Sequence, residues 1–153
     1  MKIRNFFASI LRKVNALIDL ESRNLKLFRR NSHYIWKCAY HIIFYPKYRY
    51  KVLVSPIDSR MKELVLQKQT DYGYEVLEQE IMPDHVHLLL VVNPILSVLQ
   101  VVNKIKGWTS CSLRKEFSNL RSLPSLWSPS KFISSCDAVT LEVVKKYIEG
   151  QKI

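Results

Sequence analysis

Two histidines begin the segment best suited to chemistry, residues 83–92, which reads Pro-Asp-His-Val-His-Leu-Leu-Leu-Val-Val. The apolar and β-branched residues after them predict a buried central strand. Residues two apart in a strand point to the same face, so His85 and His87 can reach one ion while Val86 points into a core. Two imidazoles leave coordination positions for an oxygen ligand and a phosphate oxygen, and such an ion polarises a phosphodiester. The alternative is two unrelated histidines at a strand end.

The composition points to a polyanionic partner. The chain has 153 residues and a net charge of +11, which favours nucleic acid first and an anionic membrane second. A merely soluble basic protein is the alternative. Three separated cysteines (Cys38, Cys111 and Cys136) exclude a disulfide scaffold and a cysteine-type zinc site, and they suit a reducing cytoplasm. No apolar run approaches the roughly 20 residues of a membrane span, so we expect a protein that is neither secreted nor membrane-spanning. With a nucleic-acid partner, the expected location is the cytoplasm, in association with the nucleoid.

The first 31 residues differ from the rest of the chain. Apolar residues recur there at helical spacing with basic residues between them, which predicts a basic amphipathic helix. We interpret residues 1–31 as an extension, with residues 29–32 as a linker, and residues 32–153 as the functional domain. The helix could pack on the domain, pair with another copy, or lie on DNA or a membrane surface.

The remaining pattern alternates strands and helices. Residues 33–44 predict a strand, 55–69 a helix starting at a Ser-Pro pair, and 74–82 a strand that forms a hairpin with the histidine strand. A capping-box signature at Ser97 and Gln100 opens a helix that runs to about Phe117. Trp127 and Phe132 fall in a predicted loop or short hairpin, and residues 141–153 predict a last helix. This order favours an α+β fold, a ferredoxin-like antiparallel sheet with helices on one face.

Two basic segments are candidates for DNA contact. Lys47, Tyr48 and Arg49 lie in a loop with interleaved tyrosines, where cations neutralise phosphates and rings stack on unpaired bases. Lys104 and Lys106 are predicted to lie on the exposed side of the helix that starts at Ser97. In both segments a solvated surface is the alternative.

The last predicted helix carries a tyrosine and a glutamine one turn apart. At this spacing Tyr147 and Gln151 share a face, so a nucleophile and an amide ligand can approach the same ion. From spacing alone, Tyr147 as a packing residue of an amphipathic helix is the more economical interpretation.

Read together, several segments resemble the single-tyrosine HUH transposases of the insertion sequence 200/605 family. The similarity covers about residue 32 to the end of the chain, and the segments that carry it are residues 40–44, 47–49, 82–89, 102–107, 126–130 with Phe132, and 143–151. The Pro-Asp-His-Val-His-Leu-Leu and Tyr-x-x-x-Gln motifs are highly specific in this order and at this spacing. Residues 1–31 lie outside the match, and residues 118–124 are not distinctive within it.

The resemblance implies a mechanism. His85, His87 and Gln151 would hold Mg²⁺ or Mn²⁺, and Tyr147, on the C-terminal helix, would attack single-stranded DNA to form a 5′-phosphotyrosine. It also implies a homodimer in which the tyrosine helix can complete the partner's site in trans, and recognition of hairpins at the ends of the element. His41 lies in a matched strand, and we assign it a packing or DNA-contact role rather than a catalytic one.

Other functions fit the same residues. A domesticated relative would act on chromosomal palindromic repeats with the same chemistry. A non-catalytic nucleic-acid-binding protein or repressor would use the same fold, and a nuclease with metal-bound water as nucleophile would leave no covalent protein–DNA adduct.

Overall fold

The structure, a computed structural model, describes residues 29–36 and 38–135. The chain divides into two compact units, of which Cys38–Ile133 is one. The strands are β1 (Arg29–Arg30), β2 (Ile35–Trp36), β3 (Ala39–Pro46), β4 (Tyr74–Met82), β5 (His85–Val92) and β6 (Trp127–Ser135). The α-helices are α1 (Ile57–Gln67), α2 (Gln69–Tyr72) and α3 (Val98–Glu116), and 3₁₀ turns span Lys47–Arg49 and Ser118–Ser122.

Four strands form one sheet in the order β4-β5-β3-β6. Strand β5 pairs antiparallel with β4 on one side and with β3 on the other. The predicted hairpin of β4 and β5 is confirmed, and so is the α+β class with a ferredoxin-like order, in which the first and third strands of the sheet are central. The strand that carries both histidines is therefore an interior strand.

The main core lies on one face of this sheet. Side chains alternate along a strand, so every second residue of β5 points to the helices. The core cluster joins strand residues to α1 and α3, and its members include Ile42, Phe44, Val86, Leu88, Leu90, Met61, Leu64, Val101, Val102 and Ile105. His85 and His87 occupy the alternate positions, and the pleat directs them to the other face.

Two segments form strands that the sequence did not predict. Residues 29–32 are not a linker, because β1 pairs with β2 through Arg29–Trp36 and Arg30–Ile35. The turn between them is closed by the Asn31 side-chain oxygen, which accepts hydrogen bonds from the backbone N–H groups of His33 and Tyr34. Trp127 and Phe132 lie in strand β6 rather than in a loop. Prolines made this segment look irregular, but an edge strand tolerates proline.

The helix boundaries agree with the sequence, although the capping does not. Helix α1 begins at Ile57 with Pro56 in the N-cap position, and no side chain caps either α1 or α3. The α1–α2 segment ends at Gly73, whose φ of 72° is the left-handed conformation that glycine adopts readily.

Within residues 29–36 and 38–135, no helix is long and apolar enough to cross a membrane. The predicted helices of the first 28 and last 13 residues lie outside the described residues, so the proposed boundary at residue 32 stays a prediction.

Candidate functional site

His87 is buried and contacts a second histidine across the sheet. It is 3% exposed and lies opposite Ile43 in the β3–β5 ladder, while His41 lies opposite Leu89. The two histidines are therefore diagonal neighbours on one face. Nε2 of His87 lies 3.1 Å from Nδ1 of His41, and the rings meet edge to face with centroids 4.4 Å apart. Only one of these nitrogens carries the shared proton when both rings are neutral, so the tautomers of His41 and His87 are coupled.

His85 is held by the residue that precedes it. Its Nδ1 lies 2.8 Å from a carboxylate oxygen of Asp84, and the side chain is 13% exposed. A neutral imidazole that donates from Nδ1 keeps its lone pair on Nε2. The guanidinium of Arg49 donates to the other Asp84 oxygen at 3.4 Å. Arg49, Asp84 and His85 thus form one hydrogen-bonded series.

The charge state of Asp84 follows from these partners. Burial raises the pKa of the carboxyl, but the hydrogen bond from His85 and the charge of Arg49 act against it, and the pKa is lowered below its usual value. Asp84 is therefore an acceptor-only carboxylate at neutral pH. This fixes the direction of its hydrogen bond with His85.

The described residues supply some, but not all, of the ligands that a divalent ion needs. His85 and His87 supply two nitrogens on one face, and the Asp84 carboxylate is the kind of outer partner that orients a metal-binding imidazole. Glu80 lies directly opposite His87 in the β4–β5 ladder and adds a carboxylate to the same region. Across residues 29–36 and 38–135, no three His, Cys, Asp or Glu side chains are arranged to hold an ion. The expected third ligand, Gln151, lies outside the described residues, as does Tyr147.

A loop after β3 presents aromatic rings near Pro83 and Asp84, the turn that precedes His85. Tyr48 and Tyr50 are exposed, and their ring centroids are 5.5 Å apart. Arg49 between them turns inward, with its guanidinium carbon 5.1 Å from the ring centroid of Tyr45. Tyr48 is thus exposed, whereas the Arg49 side chain is bonded to Asp84, and the DNA contacts expected of Lys47, Tyr48 and Arg49 stay predictions.

The prediction that Lys106 lies on an exposed helix face is wrong. Lys106 is 9% exposed, and its ammonium donates a hydrogen bond of 2.7 Å to the backbone carbonyl of Ser128 in β6. Burial, and after it the positive charge of Lys131, lowers the pKa of Lys106 to about 8. Lys104 is exposed on the same helix, with its ammonium 5.7 Å from the ring centroid of Tyr72. Helical spacing places Lys104 and Lys106 on different sides of the helix. It could not predict that β6 covers the side that carries Lys106.

Sequence reasoning missed two partners in this site. His41 is buried, as the packing interpretation predicts, but its contact with His87 required the β3–β5 register, which the sequence did not supply. No contact was predicted for Asp84. Its position directly before His85 was a usable signal, because a carboxylate beside a metal-type histidine is a common orienting partner.

Comparison with known proteins places the chain in a family. The family described as Transposase IS200 like matches residues 34–151. ISDra2 transposase TnpA from Deinococcus radiodurans is 32% identical over 126 residues, which are 80% of this chain and 90% of that protein. The transposase for insertion sequence element IS200 from Salmonella typhimurium is 34% identical over 91 residues, 59% of each chain. The crystal structure of a protein assigned as a transposase from Deinococcus radiodurans R1 superposes with a TM-score of 0.72 and 31% identity, covering 80% of this chain and 97% of that one.

The chain therefore belongs to the IS200-like transposase family. Its α+β sheet is the fold of that family, and a transposase is an enzyme that acts on DNA. The resemblance drawn from the histidine and tyrosine motifs is confirmed at this level.

Proposed function

We propose that this transposase cuts and rejoins single-stranded DNA at the ends of an insertion sequence, with Tyr147 as its nucleophile. The observation that carries the proposal is the placement of His85 and His87 on one face of the interior strand β5, with Asp84 orienting His85. His87 is buried and His85 is 13% exposed, and such a pair of imidazoles, each with a hydrogen-bond partner, has little use in a simple DNA-binding protein. It suits an enzyme that must stabilise charge on a phosphate.

The reaction is a transesterification. The phenol oxygen of Tyr147 attacks phosphorus, an oxygen–phosphorus bond forms, and the bond to the 3′ oxygen breaks. The phenol proton passes to solvent and the leaving oxygen takes one up, so the products are a 5′-phosphotyrosine and a free 3′-hydroxyl. Attack of a 3′-hydroxyl on the phosphotyrosine then rejoins DNA and regenerates Tyr147. The covalent intermediate conserves the phosphoester bond, and no nucleotide cofactor is needed.

We further propose Mg²⁺ or Mn²⁺ as cofactor, held by His85, His87 and Gln151. When bound, such an ion stabilises negative charge on the phosphate oxygens. His85 can offer Nε2 while its Nδ1 donates to Asp84. His87 can offer Nε2 only by giving up its contact with His41, or Nδ1 while that contact is kept.

The DNA partner we propose is a single strand with hairpins near the ends of the element. The net charge of +11 supports binding of a polyanion, and the exposed Lys104 and the cation of Lys47 are available for phosphate contacts. The proposed assembly is a homodimer in which Tyr147 acts in its own subunit or in trans.

The test is a covalent-adduct assay. Full-length protein is incubated with Mg²⁺ or Mn²⁺ and single-stranded DNA taken from each side of its gene, labelled at the 3′ end, and run on a denaturing gel. We expect a protein-linked labelled band that needs the metal and disappears in Tyr147→Phe. The matched control is Tyr34→Phe, which removes the hydroxyl of an exposed tyrosine on the β1–β2 turn and is expected to keep the band.

The other outcomes assign the other functions. Metal-dependent cleavage without a linked band would indicate a metal-water nuclease. Tight binding to both DNA ends without cleavage would indicate a repressor. A linked band that persists in Tyr147→Phe would assign the nucleophile to another residue.

A further inference from the structure

Two exposed aromatic rings stand side by side in the loop of residues 46–51, which we call the tyrosine loop. Tyr48 is 64% exposed and Tyr50 is 52% exposed. Their ring centroids are 5.5 Å apart with the ring planes inclined by 55°. Neither ring is among the residues of the main core or those packed against it. Adjacent exposed aromatic rings commonly mark a binding surface rather than a requirement of the fold.

The backbone of the tyrosine loop is strained in a way that glycine would relieve. Tyr48 and Arg49 have φ values of 58° and 54°, in the left-handed region where a β-carbon crowds the backbone. Such conformations persist where the surroundings enforce them, and they concentrate at functional sites. Here the strained pair carries an exposed ring at Tyr48, while the guanidinium of Arg49 reaches inward to Asp84. The strained position therefore presents a large aromatic ring to solvent.

The loop is fixed at both ends. The backbone N–H of Lys47 donates to the carbonyl of Leu126 at 2.8 Å, and that of Leu53, just beyond the loop, donates to the carbonyl of Pro83 at 3.0 Å. Arg49 adds the side-chain contact to Asp84, the residue before His85. The rings are therefore held at a set position beside the turn of Pro83 and Asp84, which directly precedes His85.

The charges around the rings match a nucleotide strand. The ammonium of Lys47 lies 5.3 Å from the ring centroid of Tyr48, and Lys51 follows Tyr50 as an exposed cation. Aromatic rings with flanking cations bind single-stranded nucleic acid, since a ring stacks on a base and a cation neutralises the adjoining phosphate. A paired base inside a duplex has no free face to offer such a ring.

We propose that Tyr48 and Tyr50 form a stacking platform for an unpaired nucleobase that neighbours the phosphodiester to be cut. The platform would set the strand position relative to His85, because Arg49 and Asp84 join the tyrosine loop to that histidine. This inference rests on the proposed function, which supplies the cut phosphodiester, although the base contact itself can be measured without cleavage.

The direct test is photocrosslinking. Full-length protein is bound to the same single-stranded DNA in which one thymine at a time is replaced by 5-iodouracil, a base that crosslinks to an aromatic ring stacked on it. The crosslinked peptide is then identified by mass spectrometry. We expect a crosslink at Tyr48 or Tyr50 from one or two positions beside the cleavage site. Crosslinks from those positions only to other residues would overturn the proposal.

Affinity measurements separate a stacking role from a structural one. Tyr48→Leu and Tyr50→Leu are each expected to weaken binding about ten-fold, and the phenylalanine variants to restore most of it, because stacking needs the ring and not the hydroxyl. Tyr48→Gly removes the ring and also relieves the backbone strain. It is therefore expected to weaken binding as Tyr48→Leu does and to leave the melting temperature no lower. The control is Leu66→Ala, which shortens an exposed apolar side chain on α1.

The outcomes distinguish this inference from the proposed function. Unchanged affinity in both leucine variants, with the Tyr147 adduct intact, overturns the platform and leaves the function standing. Crosslinks at the tyrosine loop with no adduct on any DNA end support the platform and overturn the proposed chemistry.

Discussion

Nε2 of His87 lies 3.1 Å from Nδ1 of His41, and both rings are buried on the same face of adjacent strands. With both rings neutral, a shared proton on His87 Nε2 leaves the lone pair of His87 on Nδ1, whereas a shared proton on His41 Nδ1 requires the lone pair of His87 to be on Nε2, where it accepts the hydrogen bond. His41 therefore affects both the stability of the sheet and the tautomer of His87.

Replacing His41 should destabilise the protein. His41→Phe keeps an aromatic ring but removes the partner of the buried His87 nitrogen, and a buried polar group without its partner costs about 1–3 kcal/mol. The free energy of unfolding, measured in urea, should fall by that amount. The control is His33→Phe on the exposed β1–β2 turn, where the change should be small. An equal free energy of unfolding in His41→Phe and in the unaltered protein would contradict a stabilising contact between His41 and His87.

Asp84→Asn should weaken metal binding. The neutral amide oxygen of asparagine accepts the Nδ1 proton of His85 more weakly than the carboxylate does, and mutation of such an outer partner typically costs about 10–100-fold in metal affinity. Titration with Mn²⁺, followed by electron paramagnetic resonance in the absence of DNA, measures the effect directly. Asp71→Asn, which removes an exposed carboxylate on α2, is the control. Identical Mn²⁺ affinities in both variants would show that Asp84 does not orient a metal ligand.

Lys104 and Lys106 should behave differently in DNA binding. Each exposed cation that contacts a phosphate contributes about one unit to the slope of log affinity against log salt. Lys104→Met should lower that slope by about one unit, whereas Lys106→Met should leave it unchanged because the Lys106 ammonium is bonded to Ser128. Binding isotherms between about 50 and about 200 mM salt measure both slopes. If only Lys106→Met lowered the slope of log affinity against log salt, Lys106 rather than Lys104 would be the residue that contacts a phosphate.

Lys106 should also give a pH-dependent contribution to stability. Its folded pKa of about 8 lies below the ordinary value of 10.5, so between these values the unfolded chain binds more protons than the folded one. The free energy of unfolding therefore rises with pH in this window, relative to a Lys106→Met protein that lacks the group. At lower pH both states are protonated, and the charged ammonium keeps its full burial cost.

Urea unfolding of both proteins from about pH 7 to about pH 10 measures this difference, because ionisations elsewhere cancel between them. Lys104→Met serves as the matched variant for loss of an exposed cation from the same helix. A difference between the unaltered protein and Lys106→Met that stays constant over this range would contradict the burial of a charged Lys106.

Local patterns in the sequence predicted much of the sheet. The continuous apolar and β-branched run located His85–Val92, and the strand pattern of Tyr74–Met82 just before it predicted their hairpin. The β6 strand was missed because its prolines and serines resemble a loop, and only pairing with β3 makes it a strand. The short β1–β2 hairpin was missed because two-residue strands carry no periodicity.

The candidate site was predictable only where it is local in sequence. His85 and His87 share a face through strand geometry alone. The contacts of His41 with His87 and of Arg49 with Asp84 join residues 46 and 35 positions apart, so they depend on register and loop conformation. The burial of Lys106 likewise depends on a strand more than 20 residues further along the chain.

Mapping the protein–DNA linkage shows whether Tyr147 is the nucleophile. The adduct formed with Mg²⁺ or Mn²⁺ is digested with protease and nuclease, and the peptide that carries a nucleotide is sequenced by mass spectrometry. We expect one modified peptide, with the phosphate on the oxygen of Tyr147. A nucleotide on any other residue, or cleaved DNA with no modified peptide, would contradict it.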